Sequence, residues 1–166
     1  MPEKETIERA REDAREGKSP STQAGEFVRE EIHHIREGKH GARSTQQAIA
    51  IGLSKARRAG VKLKAPKKGT TSEETRRAAA RDSRKARSGG RKKTSARRSR
   101  AMLKRLKREG RSAASPRALA RQARSAARRR SAASRSASAK KAARTKGPAK
   151  RRAAAKKGAR TRARRG

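Results

Sequence analysis

Apolar residues recur at helical spacing in the first 65 positions of the chain, and they predict three short helices. The first covers about 3–16 and the second about 22–37, and Gly17 and Gly38 end these two apolar patterns. The apolar stripes of the two helices consist of Ile7, Ala10 and Ala14, and of Ala24, Phe27, Val28, Ile32 and Ile35.

The third predicted helix, over 45–59, has the clearest start and end. Ser44 and Gln47 have the spacing of a capping box, in which each side chain binds a free backbone N–H at the helix start. Gly60 suits the left-handed conformation that ends many helices. The sequence Arg-Glu-Gly, which occurs three times, is interpreted as a helix-ending signal. A P-loop at the first copy is excluded because Glu12 stands where a glycine is required.

The large apolar residues before position 65 suffice for only a small core. Small domains are marginally stable alone, so folding on a partner, or a homodimer through the N-terminal helices, is expected. These residues are Ile7, Phe27, Val28, Ile32, Ile35, Ile49, Ile51, Leu53, Val61 and Leu63.

Charge divides the chain, whose formal net charge is +39. Residues 1–65 contain 14 basic and 10 acidic residues, a net charge of +4, whereas residues 66–166 contain 39 and 4, a net charge of +35. No acidic residue follows Glu109. A segment of this kind repels itself, so we predict that it stays disordered until a polyanion neutralises it.

The predicted fold class is therefore mostly α. A helical N-terminal module of three short helices, over 1–65, precedes a long and largely disordered basic tail. The segment 66–100 contains glycine, hydroxyl and charged residues but no large apolar residue, and it is predicted to be a basic flexible linker.

The rest of the chain divides into two predicted segments. The segment 101–131 is basic and amphipathic, and helices near 101–109 and 116–130 are expected to be induced once its charge is neutralised, because alanine and arginine favour helix. The segment 132–166 is a Lys/Arg/Ala-rich tail of low complexity, predicted to be disordered, with a break at Gly147-Pro148.

The stretch "STQAGEFVREEIHHIREGKHGARSTQQAIAIGLSKARRAGVKL" resembles a small bacterial domain family of unknown function. The resemblance covers about residues 2–70, and "QAIAIGLSKARRAG" is its most recognisable part. It implies a bacterial protein but no activity and no site residues. Lys64-Ala65-Pro66 stands where the family has a more proline-rich end.

The last 28 residues, "AKKAARTKGPAKRRAAAKKGARTRARRG", are similar in composition to the tails of linker histones and of bacterial histone-like proteins. The resemblance implies DNA binding and compaction. From the residues themselves, a dense run of cations predicts binding to phosphates with release of condensed counterions. We expect a nucleoid-associated protein that binds DNA without sequence preference and compacts or bridges it.

The residues expected to contact phosphate are basic residues after Glu109. Three cations of the third predicted helix, Lys55, Arg57 and Arg58, are candidates for secondary contacts. The main set is Arg111, Arg117, Arg121, Arg124, Arg128, Arg129, Arg130, Lys140, Lys141, Arg144, Lys150, Arg151, Arg152, Lys156, Lys157, Arg160, Arg162, Arg164 and Arg165.

Three alternatives remain at this point. One is binding to RNA or the ribosome, since arginine-rich segments also bind structured RNA, although a lone Phe27 provides no platform for stacking bases. Another is a stress-related adaptor whose N-terminal module binds a protein while the basic tail tethers it to the chromosome. The third is a helix-turn-helix with Gln46, Gln47, Ser54, Lys55 and Arg57 facing the groove. It is disfavoured because the connection between the helices is too long and the first of them is acidic.

Other chemistry finds little support in the sequence. His33, His34 and His40 lack an obvious partner at ligand spacing, so no metal and no cofactor are expected. The carboxylates Glu26, Glu30, Glu31 and Glu37 are interpreted as a solvated face. No nucleophile, base and orienting group occur together, so no enzyme activity is expected. Without cysteines, a secretion signal or a membrane-length apolar run, we expect a cytoplasmic protein at the nucleoid, without membrane contact.

Overall fold

A computed structural model of the chain describes residues 2–87 and 95–164. Within these residues it contains seven α-helices, one 3₁₀ turn and no strand, so the prediction of a mostly α fold is confirmed. The helices are α1 (Lys4–Arg15), α2 (Pro20–Arg36), α3 (Thr45–Arg58), α4 (Glu73–Arg87), α5 (Ala96–Lys107), α6 (Pro116–Arg128) and α7 (Ala132–Ala163), with the 3₁₀ turn at Ser112–Ala114.

The first three helices begin and end close to the predicted positions. At the start of α3, the Ser44 hydroxyl accepts a hydrogen bond from the Gln47 backbone N–H at 3.1 Å. The Gln47 side chain accepts from the N–H of Arg43, one residue before the expected partner, at 2.9 Å. Gly38 has φ of 79° after α2, a conformation that suits glycine because it has no Cβ.

Helices α2 and α3 pack closely against each other, and small residues allow the contact. A Cβ added to Gly52 would lie 2.7 Å from the Cα of Val28, so only glycine fits this crossing. Two apolar clusters result, one around Phe27 and one around Ile35, which are 1% and 0% exposed. Alanines form much of both clusters: Ala10, Ala24, Ala42, Ala48, Ala56, Ala113 and Ala114.

The prediction of a flexible linker over 66–100 is wrong for the residues of α4. This helix packs against α3, with Ala79 buried and the Ser54 hydroxyl donating to Asp82 Oδ2 at 2.6 Å. The sequence signal for α4 is weak because the helix packs through the methyl group of Ala79 and one half-buried hydrogen bond rather than through a stripe of large apolar residues. Residues 88–94 of the predicted linker lie outside the described residues.

A module of only three helices is also incorrect, because the chain returns to it after α5. The N–H groups of Gly41 and Ala42 donate to the carbonyls of Leu106 and Gly110, at 2.9 and 3.1 Å. A Cβ on Gly41 would lie 1.8 Å from the carbonyl oxygen of Glu109, so the two loops touch through their backbones. Residues of the 3₁₀ turn then complete the cluster around Ile35.

The predicted disorder of 132–166 is contradicted over 132–163 by α7, which starts where the Ser131 hydroxyl accepts from the Ser134 N–H at 3.2 Å, and residues 165–166 lie outside the described residues. Alanine, lysine and arginine have high helix propensity, and this local preference outweighs the like-charge repulsion on which the prediction rested. The predicted break is present, because Gly147 has φ of 66° and ψ of 168° immediately before Pro148. Proline removes a helical N–H and disfavours helix at the preceding residue.

The chain divides into two compact units, Met1–Gln122 and Ala123–Gly166. The first contains both apolar clusters, and the second contains α7, which has no buried residue.

Candidate nucleic-acid interface

The basic residues predicted to contact phosphate, from Arg111 to Arg164, are all exposed. Arg165 lies outside the described residues. Exposure leaves each of these cations in contact with solvent, where a phosphate can approach it.

Helix α6 carries its arginines on one face. At its start the Ser115 hydroxyl accepts from the Ala118 N–H at 3.2 Å, and Pro116 occupies the first helical position. Ala118 is buried and Leu119 packs against the cluster around Ile35. The helix also carries four exposed arginines, spaced three or four residues apart and therefore aligned along one side: Arg117, Arg121, Arg124 and Arg128.

Helix α7 distributes its charge differently. Successive residues of a helix point about 100° apart, and α7 has basic residues at adjacent positions (140–141, 150–152 and 156–157) as well as three or four positions apart. They therefore face all sides of the helix, and no side of it is buried. The exposed cations expected to contact phosphate here are Lys140, Lys141, Arg144, Lys150, Arg151, Arg152, Lys156, Lys157, Arg160 and Arg162.

Two arginines hold the connection between α6 and α7. The Arg130 guanidinium donates to the Ser134 hydroxyl and carbonyl at 3.0 Å and also to the Ser138 hydroxyl. Arg135 donates to the carbonyl of Arg130 at 2.9 Å. A phosphate at Arg130 would have to replace these intramolecular acceptors.

The structure does not support the secondary contacts proposed in α3, with the exception of Arg58. Lys55 forms ion pairs with Glu30 and Glu31, at 3.0 and 2.7 Å, and its side chain is 14% exposed. Arg57 is buried, and burial lowers the pKa of its guanidinium. Arg58 is exposed. Ser54, Lys55 and Arg57 of the face proposed to enter a DNA groove are therefore paired or buried, whereas Gln46 is exposed.

The predicted solvated carboxylate face is wrong for Glu30 and Glu31, which are buried. Burial acts to raise the pKa of Glu30, but hydrogen bonds from the Glu3 N–H, Lys55 and Thr6 outweigh it, and the pKa lies below its usual range. Burial likewise acts to lower the pKa of Lys55, and its contacts with Glu31 and Glu30 raise it overall. These residues form an internal charge network between α1, α2 and α3.

Sequence reasoning also missed a cluster of metal-ligating side chains. Glu31, His34 and His40 each place one donor atom within 4.8 Å of the others. The available signal was the Glu-x-x-His spacing of Glu31 and His34, which puts both on one side of α2. The bend at Gly38 then brings His40 back towards them.

No helix among the described residues is both long enough and apolar enough to cross a membrane. No protein family, curated protein or solved structure matches the chain.

Proposed function

We propose that the protein is a histone-like, nucleoid-associated protein that binds duplex DNA without sequence preference. Its basic helices bind the phosphate backbone, and charge neutralisation then allows duplexes to bend or approach one another. The histone-like composition of the last 28 residues is consistent with this proposal.

The observation that carries the proposal is the continuous exposure of cations after the last acidic residue. Residues 110–166 contain 21 Lys/Arg and no Asp/Glu, and every basic residue among those described in this segment is exposed. Duplex DNA presents about one phosphate charge per 1.7 Å of axis, so closely spaced cations can each find a phosphate. Arginine is common among them and binds phosphate in a bidentate manner.

The two basic helices suit different tasks. The arginines on one face of α6 lie about 4.5–6 Å apart along its axis, because the helix rises about 1.5 Å per residue, and this spacing suits one strand of phosphates. The cations on all sides of α7 can contact phosphates in more than one direction. We therefore assign adhesion to a single duplex to α6, and bridging between duplexes to α7.

DNA is preferred over single-stranded RNA in this proposal because the chain lacks stacking groups. Phe27 is its one aromatic residue of the Phe, Trp and Tyr class, and it is only 1% exposed. Readers of single strands stack bases on exposed aromatic rings. Structured RNA presents phosphates to the same cations and is therefore a necessary competitor in the test.

The test is a salt titration of the untagged full-length chain on a scrambled DNA duplex and on a structured RNA of equal length. If about 10 cations contact phosphate, log affinity should fall against log salt with a slope near −9 on DNA. The matched comparison is a chain truncated after Arg130, which removes 14 Lys/Arg but keeps α6 and the first three helices. Two duplexes with different fluorophores report bridging in the same samples.

The proposal expects a steep slope on DNA, affinity for DNA at least equal to that for RNA, and loss of bridging after truncation. A shallow slope, or a clear preference for RNA over DNA at every salt concentration, would contradict it.

A further inference from the structure

Glu31 is an unusual buried carboxylate. Its side chain is fully buried, and neither of its oxygens accepts a hydrogen bond of good geometry, although both have a charged or titratable neighbour. Its nearest charged neighbours are Lys55 Nζ, at 2.7 Å from Oε2, and His40 Nε2, at 3.4 Å from Oε1. Buried carboxylates are costly unless they are paired, hydrogen-bonded or bound to a metal. Oε2 faces the lysine, which leaves Oε1 directed towards the histidines.

The two nearby histidines are arranged as metal ligands commonly are. His34 Nε2 contacts Glu3 Oε1 at 2.8 Å, and His40 Nδ1 contacts the Gly41 carbonyl at 3.1 Å. If these nitrogens carry the protons, the other nitrogen of each ring has a free lone pair. Metal-binding histidines typically donate their second N–H to a carboxylate or a backbone carbonyl, which fixes the ring orientation. The two rings meet edge to face, with centroids 6.2 Å apart.

We propose that Glu31, His34 and His40 bind a divalent transition-metal ion, and that zinc is the ion the donor set fits best. Zinc binds nitrogen and carboxylate oxygen at about 2.0–2.2 Å in tetrahedral geometry, which places its ligand atoms about 3.3 Å apart. The Glu31–His40 pair already has a separation of 3.4 Å. The largest separation in the cluster is within 4.8 Å, so a modest rotation of side chains closes the site. Magnesium and calcium prefer oxygen ligands and fit less well.

The charge around the cluster favours a divalent cation. Glu3, Glu30 and Glu31 contribute three negative charges, and Lys55 contributes one positive charge through its contacts with Glu30 and Glu31. Lys39 lies between Glu3 and Glu37, at 3.3 and 3.1 Å, and its charge is balanced by Glu37. With neutral histidines the net charge is about −2, which one divalent ion neutralises.

A metal ion bound here would stabilise the fold. The site connects α2 to the loop between α2 and α3, and through Glu3 to the start of α1. The same loop binds the backbone of Leu106 and Gly110. A bound ion would therefore hold the loop to which the later part of the first unit attaches. Three protein ligands leave the fourth position of a tetrahedral ion to water.

The experiment uses the untagged full-length chain, stripped with a chelator and then dialysed. Cobalt(II) is titrated as a spectroscopic substitute for zinc, and zinc is then added in competition. The test variants are His40→Ala and, as a second ligand change, His34→Gln. The matched control is His33→Ala, which removes an exposed histidine next to the site from another side of α2. Circular dichroism establishes that each variant is helical.

We expect one cobalt per chain, with the intense visible absorption of a four-coordinate site, displaced by zinc. His33→Ala should retain this signal, and His40→Ala and His34→Gln should lose it. Glu3→Gln, which removes an outer partner of His34, should weaken affinity about 10–100-fold. The proposal is overturned if the stripped chain binds no stoichiometric metal, or if the folded ligand variants bind as tightly as the His33→Ala control.

Discussion

The charged residues buried between the first three helices and the exposed cations of α6 and α7 are used in opposite ways. In the first region Lys55 is enclosed by Glu30 and Glu31, and its charge contributes to folding. In the second region arginines such as Arg121 face solvent along a helix with no nearby carboxylate in sequence. Charge count alone therefore does not identify a binding surface. The pairing and exposure of each cation decide whether it serves the fold or a partner.

The largest effect is expected from removing the arginine face of α6. Changing Arg117, Arg121, Arg124 and Arg128 to Gln keeps good helix formers but removes four phosphate contacts. The salt slope on duplex DNA should become shallower by about 3.6, and affinity at 0.1 M salt should fall by about 10³-fold or more. A salt titration by fluorescence anisotropy measures both.

The matched control for this variant changes four exposed cations of the first region to Gln. These are Lys4, Arg11, Arg15 and Arg29. The net charge changes equally, so an equal loss of DNA affinity in the control would break the comparison between the two regions.

The next largest effect is expected on the stability of the first unit, when its core is disrupted. Phe27→Ala removes its largest fully buried side chain and should lower the free energy of unfolding by about 3–5 kcal/mol. Urea denaturation followed by circular dichroism measures the change. A loss below about 1 kcal/mol would mean that the cluster around Phe27 is not a packed core.

A third variant tests whether Lys55 serves the fold. Lys55→Met keeps the length of the side chain but leaves Glu30 and Glu31 buried without their cation, so we expect a loss of about 3 kcal/mol in unfolding free energy. Measurements are made with chelator present, so that a metal cannot substitute for the lysine. Lys62→Met, at an exposed position, is the control and should be near neutral. DNA affinity should change little in either variant, and equal stability of the two would contradict the assignment.

A smaller effect on stability is expected where the loop after α2, at Gly41, touches the loop after α5, at Glu109. Gly41→Ala places a methyl group against the Glu109 carbonyl and should destabilise the first unit by about 1–3 kcal/mol. Gly25→Ala, inside α2 with no atom within 4 Å of the added Cβ, should instead stabilise by about 0.5–1 kcal/mol. Thermal unfolding of both variants measures this opposite response, and a shift of the same sign in both would count against the loop contact.

The smallest effect on affinity is expected from removing the break in α7. Gly147→Ala with Pro148→Ala allows a continuous helix but changes no charge. The slope of log affinity against log salt should therefore change by less than about 0.9, the contribution of one phosphate contact. Helix content measured by circular dichroism should rise. A change in slope as large as that of the α6 variant would show that the break, rather than the number of cations, governs binding.

Local signals made much of the fold predictable. The starts of α3 and α6 follow from Ser44 and Ser115, whose hydroxyls cap the next turn. Helix α4 could not be predicted because its packing depends on Ala79 and Asp82, which are not distinctive in sequence. Helix α7 was missed because its helix propensity and its self-repulsion oppose each other, and the sequence alone did not decide between them.

The two candidate sites also differ in how far the sequence predicts them. The exposure of the basic residues was predictable, since no carboxylate follows Glu109 to pair with them. The cluster of Glu31, His34 and His40 depends on the bend at Gly38 and on the contact of Glu3 with α2. These are tertiary features, and a spacing rule applied to histidines alone does not find them.

The attachment of the 3₁₀ turn to the first helices has a consequence for the order of folding. The Thr45 hydroxyl donates to the Ala113 carbonyl across 68 residues of chain, at 2.7 Å. Closing a flexible loop of that length costs about 4 kcal/mol in chain entropy. We therefore expect α1, α2 and α3 to associate early and this long-range contact to form late. During synthesis, the cluster around Ile35 stays incomplete until Ala113 and Ala114 have left the ribosome.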